Sequence, residues 1–489
     1  MNMKNIADTE ITKPQRPVRA VQFGEGNFLR AFADYMLDIL NEKTDWNGSI
    51  VLFKPIEFGS LERFEKQNCL YTVYLRGLEN GREKIIKRVV TSVDKAVACN
   101  EQYEEYAAYA KLDTLRFVIS NTTEAGIVLD KEDKFEMCPP KSYPGKLTKF
   151  LYERFEHFKG DASKGLVILP VELIDDNGKN LKKCVKALTQ LWGLGEAFDK
   201  WLDDACVFAS TLVDRIVTGY PRDEDKQIFE EFGYEDELVV TGEPFALWVI
   251  ESDKDISGEL PFEKAGLPVI FTDDHKPYKQ RKVRILNGAH TSFVLASYLA
   301  GNDYVGQSMN DELIYGFMRK TIFDEIIPTL DLPKKDLTDF AEAVTDRFKN
   351  PFIKHALLAI SLNSVSKWRA RCMPSFLKYI EANGKLPERL TFSLVALIAF
   401  YNGSEIRGGA LIGHRDGNEY EIRDDAAVLE FFKENSSLPS GELAEKVLSN
   451  TDFWGENLAD KCGAAKAAAG YIEEIRTLGM RKALEKNFG

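Results

Sequence analysis

The chain has 489 residues, 44% of them hydrophobic, and a formal net charge of −13 at neutral pH. That length predicts two or three domains with real cores, and the acidic balance argues against nucleic acid or an anionic membrane as a partner. No apolar run reaches the roughly 18 residues of a spanning helix. No signal peptide is expected before the first strand. Seven cysteines (69, 99, 138, 184, 206, 372 and 462) are odd in number and form no Cys-x-x-Cys pair. They read as reduced thiols of a cytoplasmic protein. The charged leader from Met1 to Pro17 is expected to be mobile.

Val18–Phe23 is rich in β-formers and predicts a strand. Gly24-Glu-Gly26-Asn-Phe-Leu-Arg30 follows at once, and Ala31–Leu40 then has helical periodicity. Strand, Gly-x-Gly, helix is how a dinucleotide pyrophosphate is seated, because the glycines admit backbone N–H groups to the phosphates and the helix start is electropositive. Phe23, Gly24, Glu25, Gly26, Asn27, Phe28 and Arg30 are therefore candidate cofactor residues. Leu29 replaces the third glycine of the usual fingerprint, and an isolated Gly-x-Gly is commonly just a tight turn.

Ser49–Lys54 predicts a second strand. It ends on Lys54, with Glu57 slightly later, where NAD enzymes usually place an acid for the ribose, so NADP stays open. Leu70–Leu78 and Glu83–Val93 flank the hairpin signal Asn80-Gly81. Glu101–Lys111 reads as helix and Leu115–Ser120 as strand. Asn121 and Thr122 follow that strand at the expected ligand edge and are either cofactor contacts or a capped turn. Gly165–Pro170 predicts a strand with Glu172 just beyond it. A helix at Asn180–Trp192, a buried strand at Cys206–Ala209 and further strand over Tyr234–Ser252 complete the region. Asp214, in Val213-Asp214-Arg215-Ile216, is either a site residue or part of a surface ion pair. This alternation predicts a doubly wound, Rossmann-like α/β domain with an inserted hairpin over residues 1–275.

Residues 276–489 predict a mostly α-helical domain, punctuated by Pro328, Pro351 and Pro387 and closed by a helix after the Ala-rich run 463–470. Near its start lies Lys282-Val-Arg-Ile-Leu-Asn287-Gly-Ala-His290. On an α-helix at about 100° per residue, Asn287 lies roughly 140° and His290 roughly 80° around from Lys282. All three can therefore face one cleft. A Lys partly out of water, with Lys279, Arg281 and Arg284 nearby, loses its proton more readily and can exchange it with a hydroxyl. Asn287 can hold an alkoxide and His290 a neighbouring hydroxyl. The same residue types also make ordinary polar helix faces.

Tyr278-x3-Lys282 has the spacing of the short-chain dehydrogenase pair, but that pair belongs inside a single Rossmann domain of about half this length. Lys354, His355, Lys367, Arg369 and Arg371 are candidates for gripping a carboxylate. Asp273, Asp274 and His275 have no further partner at ligand spacing, so no metal is expected.

Gly24-x-Gly26-x-Phe28-x-Arg30-x-Phe32 together with Lys282-x4-Asn287-x2-His290 resembles the polyol-specific long-chain dehydrogenases, the mannitol dehydrogenase family, over essentially the whole chain. The resemblance implies metal-free hydride transfer with NAD and with Lys282 as acid/base. Leu29 stands where mannitol dehydrogenases and fructuronate reductases usually carry His. With Ser120–Gly126 and Asn363–Arg371, this resembles the branch that reduces D-tagaturonate to D-altronate reversibly in hexuronate catabolism. Mannitol dehydrogenases carry an Asn near position 172 that shares the oxyanion, whereas this chain has Val171-Glu172-Leu173. Glu172 is accordingly assigned to proton transfer or hydroxyl binding. Fructuronate reduction and mannitol oxidation remain rival readings. A non-catalytic nucleotide-binding regulator is more distant, since a sensor needs the glycines and not the proton relay.

Overall fold

The computed structural model describes residues 3–122 and 125–489. It divides into two compact units, residues 1–76 with 83–275, and residues 77–82 with 276–489.

In the first unit, strand β1 (Val18–Phe23) lies beside β2 (Ser49–Lys54). A hairpin follows, β3 (Tyr71–Glu79) and β4 (Arg82–Val90), turning at Asn80 and Gly81 with φ of 54° and 70°. These positive angles are what a two-residue hairpin turn demands. Then come β5 (Val93–Ala98), β6 (Phe117–Ser120), β7 (Val167–Pro170) and β8 (Val207–Phe208). The six-stranded sheet runs β5-β2-β1-β6-β7-β8, and every pair in it is parallel. Strand order therefore reverses between β1 and β6, the switch point at which such sheets bind ligands.

All six residues of β2 are buried, as a parallel sheet covered on both faces requires. One core lies under the helix Tyr35–Lys43 and the smaller sheets, the other under the helices Tyr143–His157 and Asn177–Leu191. The remaining strands are β9 (Ser210–Asp214), β10 (Val217–Gly219), β11 (Val240–Gly242), β12 (Leu247–Glu251) and β13 (Val269–Thr272). They build two small sheets, β10-β11-β3-β4 and β13-β12-β9.

Three expectations change. The segment Tyr234–Ser252 is not one strand: Glu243 and Pro244 break it, and its halves join different sheets. The helix Tyr143–His157, capped by Ser142 Oγ accepting from Gly145 N at 3.0 Å, stands where no element was expected. The leader is held in place. Asn5 bridges Glu235, and Ile6 is buried beside Leu70, Tyr74 and Phe232. Met1 and Asn2 lie outside the described residues.

The second unit is helical around two apolar helices, Gly288–Leu299 and Glu388–Phe400. It also contains an unexpected antiparallel meander of β14 (Gly403–Arg407), β15 (Ala410–Arg415) and β16 (Asn418–Ile422). A further helix, Met480–Phe488, follows Ala464–Leu478. Among the described residues no helix is long and apolar enough to cross a membrane.

Candidate active site

Phe23 closes β1 level with Phe53 of β2 and Ser120 of β6, so the chain leaves the sheet at the switch point. Gly24 follows with φ +114°, and a Cβ there would sit 3.0 Å from Asn121 O. Only glycine lets this turn pass so close to the chain leaving β6. Gly26 and Asn27 are exposed, and the helix begins at Asn27. Its first N–H groups and the bare Gly26 form an open, electropositive rim suited to a pyrophosphate. The helix is not regular, because Arg30–Asp34 forms a wide i→i+5 turn.

Arg30 turns away from this rim. Its guanidinium is buried, donates to Leu238 O and, at 2.6 Å, to Asn27 Oδ1, and lies over Tyr71. Expected among the cofactor residues, Arg30 acts here as an internal brace. Lys54 is likewise spent. Its side chain is 3% exposed, and its ammonium donates to Gly59 O at 3.1 Å and pairs with Glu101 at 3.3 Å. Holding a loop in this way leaves it poorly placed to attract a 2′-phosphate. Burial raises the pKa of Glu25, with Lys54 and Arg30 pulling it back.

Asn121 N donates to Phe23 O at 3.1 Å, joining the two strand ends. Thr122 is held by Glu172, whose Oε1 accepts from Thr122 N and Thr122 Oγ1, both at 3.0 Å. Ser120 Oγ donates to Glu172 Oε2 at 3.1 Å. Glu172 is 2% exposed, and burial raises its pKa against those donors. The carboxylate expected to touch substrate instead clamps the chain beyond β6. Thr123 and Glu124 of that segment lie outside the described residues.

Asp214 is buried at the end of β9. Its neighbour Arg215 is no surface ion pair: it is buried and donates to Ala31 O (2.5 Å), Phe245 O (3.0 Å) and Pro244 O (3.1 Å). His275 is not isolated either. Its Nδ1 lies 2.5 Å from Glu251, and Asp176, Glu251 and His275 place ligand atoms within 4.8 Å of one another. The Lys179 ammonium already supplies a cation there, 2.6 Å from Glu251 and 3.2 Å from Asp176.

In the second unit Lys276–Arg281, Lys282–Asn287 and Gly288–Leu299 run on as one helix whose middle segment is a wide i→i+5 turn. Each residue of such a turn rotates by less than an α-helix's roughly 100°, so residues five apart draw together. The separation of Lys282 and Asn287 is accordingly smaller than α-helical periodicity predicts. Lys282, Asn287 and His290 are all half-buried.

The His290 ring stacks on Phe348 at 4.1 Å and meets His355 edge-on at 5.5 Å. Burial holds its pKa well below the usual value, reinforced by His355, Arg347, Arg371 and Lys367. His290 is therefore neutral at physiological pH and can exchange hydrogen bonds with a hydroxyl. Gly288 brings up the next helix, Ser364–Arg371, since a Cβ there would lie 3.2 Å from Arg371 O. Arg371 Nη1 then donates to Thr291 Oγ1 at 3.3 Å, and Lys367 Nζ to Ile360 O at 3.0 Å.

His355, Lys367 and Arg371 thus converge on His290. Lys354 is exposed, and Arg369 turns towards Asp452 and Gly455. Arg347 joins the convergent set without having been singled out. It is buried at the end of the helix Lys334–Phe348, next to the Phe348 on which His290 stacks.

Two family models cover this architecture, the mannitol dehydrogenase Rossmann domain over residues 18–264 and the mannitol dehydrogenase C-terminal domain over residues 274–476. The chain belongs to the mannitol dehydrogenase family. Altronate oxidoreductases of Shigella flexneri and of Escherichia coli O7:K1 (strain IAI39 / ExPEC) are each 46% identical over 489 residues, covering 99% of this chain and 99% of their own. Among family folds, a D-sorbitol dehydrogenase in substrate-free form matches with a TM-score of 0.77 at 21% identity over 96% of this chain and 95% of its own. Mannitol 2-dehydrogenase of Pseudomonas fluorescens, in a ternary complex with NAD and D-mannitol, matches with a TM-score of 0.64 at 23% identity over 99% and 96%. These two likenesses establish the fold.

Proposed function

We infer that this protein is an NAD-dependent oxidoreductase that reduces D-tagaturonate to D-altronate, reversibly, in hexuronate catabolism. The observation that carries the reading is full-length identity of 46% to altronate oxidoreductases, with Lys282, Asn287 and His290 placed on one helix. The reading seats the cofactor at the turn after β1, where Gly24 lets the chain pass close to Asn121 O and a Cβ on Gly26 would meet only open space. Phe23, Gly24, Glu25, Gly26, Asn27 and Phe28 would hold it, with Asn121 and Thr122 on the neighbouring strand end. Bound there, NADH supplies the hydride.

Protonated Lys282 gives its proton to the oxygen of the reduced keto group, and Asn287 stabilises charge on that oxygen by hydrogen bond. Neutral His290 orients an adjacent hydroxyl. Arg347, His355, Lys367 and Arg371 hold the sugar carboxylate, Arg bidentately. In the reverse direction neutral Lys282 takes the hydroxyl proton. With ammonium and amide supplying the electrophilic assistance, the reading includes no metal. The protein is placed in the cytoplasm, in keeping with seven free cysteines. Reduction assays with tagaturonate, fructuronate and fructose test it, and a preference for fructuronate or fructose would overturn it.

A further inference from the structure

The turn after β1 is tied to a buried carboxyl on the helix it opens. Gln22 Nε2 donates to Gly24 O at 3.1 Å and reaches Asp34 Oδ2 at 3.4 Å. Tyr71 OH donates to the same Asp34 oxygen at 2.7 Å. Gln22, Asp34 and Tyr71 are all fully buried. Two acceptors in this cluster, Asp34 Oδ1 and Gln22 Oε1, have no hydrogen-bond partner among the described residues. Buried acceptors without donors are rare, and one proton on the carboxyl would supply a donor.

We propose that Asp34 is a positioning residue for cofactor binding, setting through Gln22 how firmly the Gly24 carbonyl, and with it the pyrophosphate seat, is held. Ionised, Asp34 accepts from Tyr71 and Gln22 and keeps the amide N–H₂ aimed at Gly24 O. Protonated, it becomes a donor beside an unmet acceptor, Gln22 Oε1, on the amide that already reaches it. Satisfying that oxygen turns the amide and loosens its grip on Gly24.

The groups facing Asp34 are Gln22 from β1, Tyr71 from β3, and Arg30 and Asp38 from its own helix. Asp38 is paired with Arg88 at 2.6 Å. Burial outweighs the two donors and Arg30, and pushes the Asp34 carboxyl up to about 7. The change of state therefore falls in the physiological range, in a carboxyl with no exposed surface.

This rests on the NADH reading above. The test is direct NADH binding, without substrate, followed by nicotinamide fluorescence from about pH 6 to about pH 8.5, alongside turnover at saturation. For the wild type, Kd is expected to rise about threefold or more as pH falls through about 7. Asp34→Asn should remove that response and hold Kd near the wild-type low-pH value, with kcat at saturating NADH unchanged. Tyr71→Phe, which takes one donor from the carboxylate, should move the midpoint to higher pH. An Asp34→Asn protein that keeps the wild-type pH profile, or a wild type that binds NADH with no pH response, overturns this inference alone. A wild type that binds no NADH at any pH overturns the cofactor reading with it.

Discussion

Lys282 is the residue on which the chemistry turns. Lys282→Ala should lower reductive turnover by roughly 10²–10⁴-fold, the usual share of general acid catalysis, while NADH affinity persists. Because altronate oxidation needs neutral Lys282, its rate should rise with pH where reduction falls; parallel profiles in both directions would contradict the role. Asp34 makes a separate statement about stability. Its folded pKa of about 7 lies above the ordinary aspartate value of 3.8. Its stabilising contribution is thus full below pH 3.8, declines as pH rises, and is lost above about 7. Wild type should lose about 2–3 kcal/mol between pH 5 and pH 8 that Asp34→Asn keeps, read from denaturant unfolding at both values. Residue roles were unevenly legible. Lys282, Asn287 and His290 are singled out by type and spacing, and the structure places all three half-buried along one helix. Nothing in a motif says that Arg30 and Glu172 turn inward, because side-chain direction is set by neighbours distant in sequence, Leu238 and Thr122. Arg347 sits on an amphipathic helix, where its charge reads as a solvated face.

At the scale of elements, both motif helices contain a wide turn, Arg30–Asp34 and Lys282–Asn287. An extra residue in a helix of this kind marks functional sites often enough to be informative. Hydrophobic periodicity cannot reveal such a turn, because one added residue hardly alters the pattern. Gly24→Ala should weaken NADH binding by tenfold or more, since φ of +114° and contact with Asn121 O both oppose a side chain; titration calorimetry would read it. The doubly wound sheet was legible because buried parallel strands are apolar runs between helices. The meander β14–β16 was missed although Asp416-Gly417 is a hairpin signal, because its strands are only five or six residues long and flanked by helices.

Over the whole molecule, a net charge of −13 opposes an anionic sugar acid, yet Arg347, His355, Lys367 and Arg371 gather around His290. A local basic cluster in an acidic protein predicts that kcat/KM for tagaturonate responds to ionic strength, whereas that for neutral fructose does not. Arg371→Ala should raise KM for tagaturonate by tenfold or more and leave fructose unaffected; equal effects on both would remove it from the carboxylate grip. The measurement that tests the account most directly is NADH oxidation with tagaturonate, fructuronate and fructose side by side. A strong preference for tagaturonate, lost in Lys282→Ala, is predicted. Preference for fructuronate or fructose, or undiminished turnover by the Lys282 variant, would contradict it.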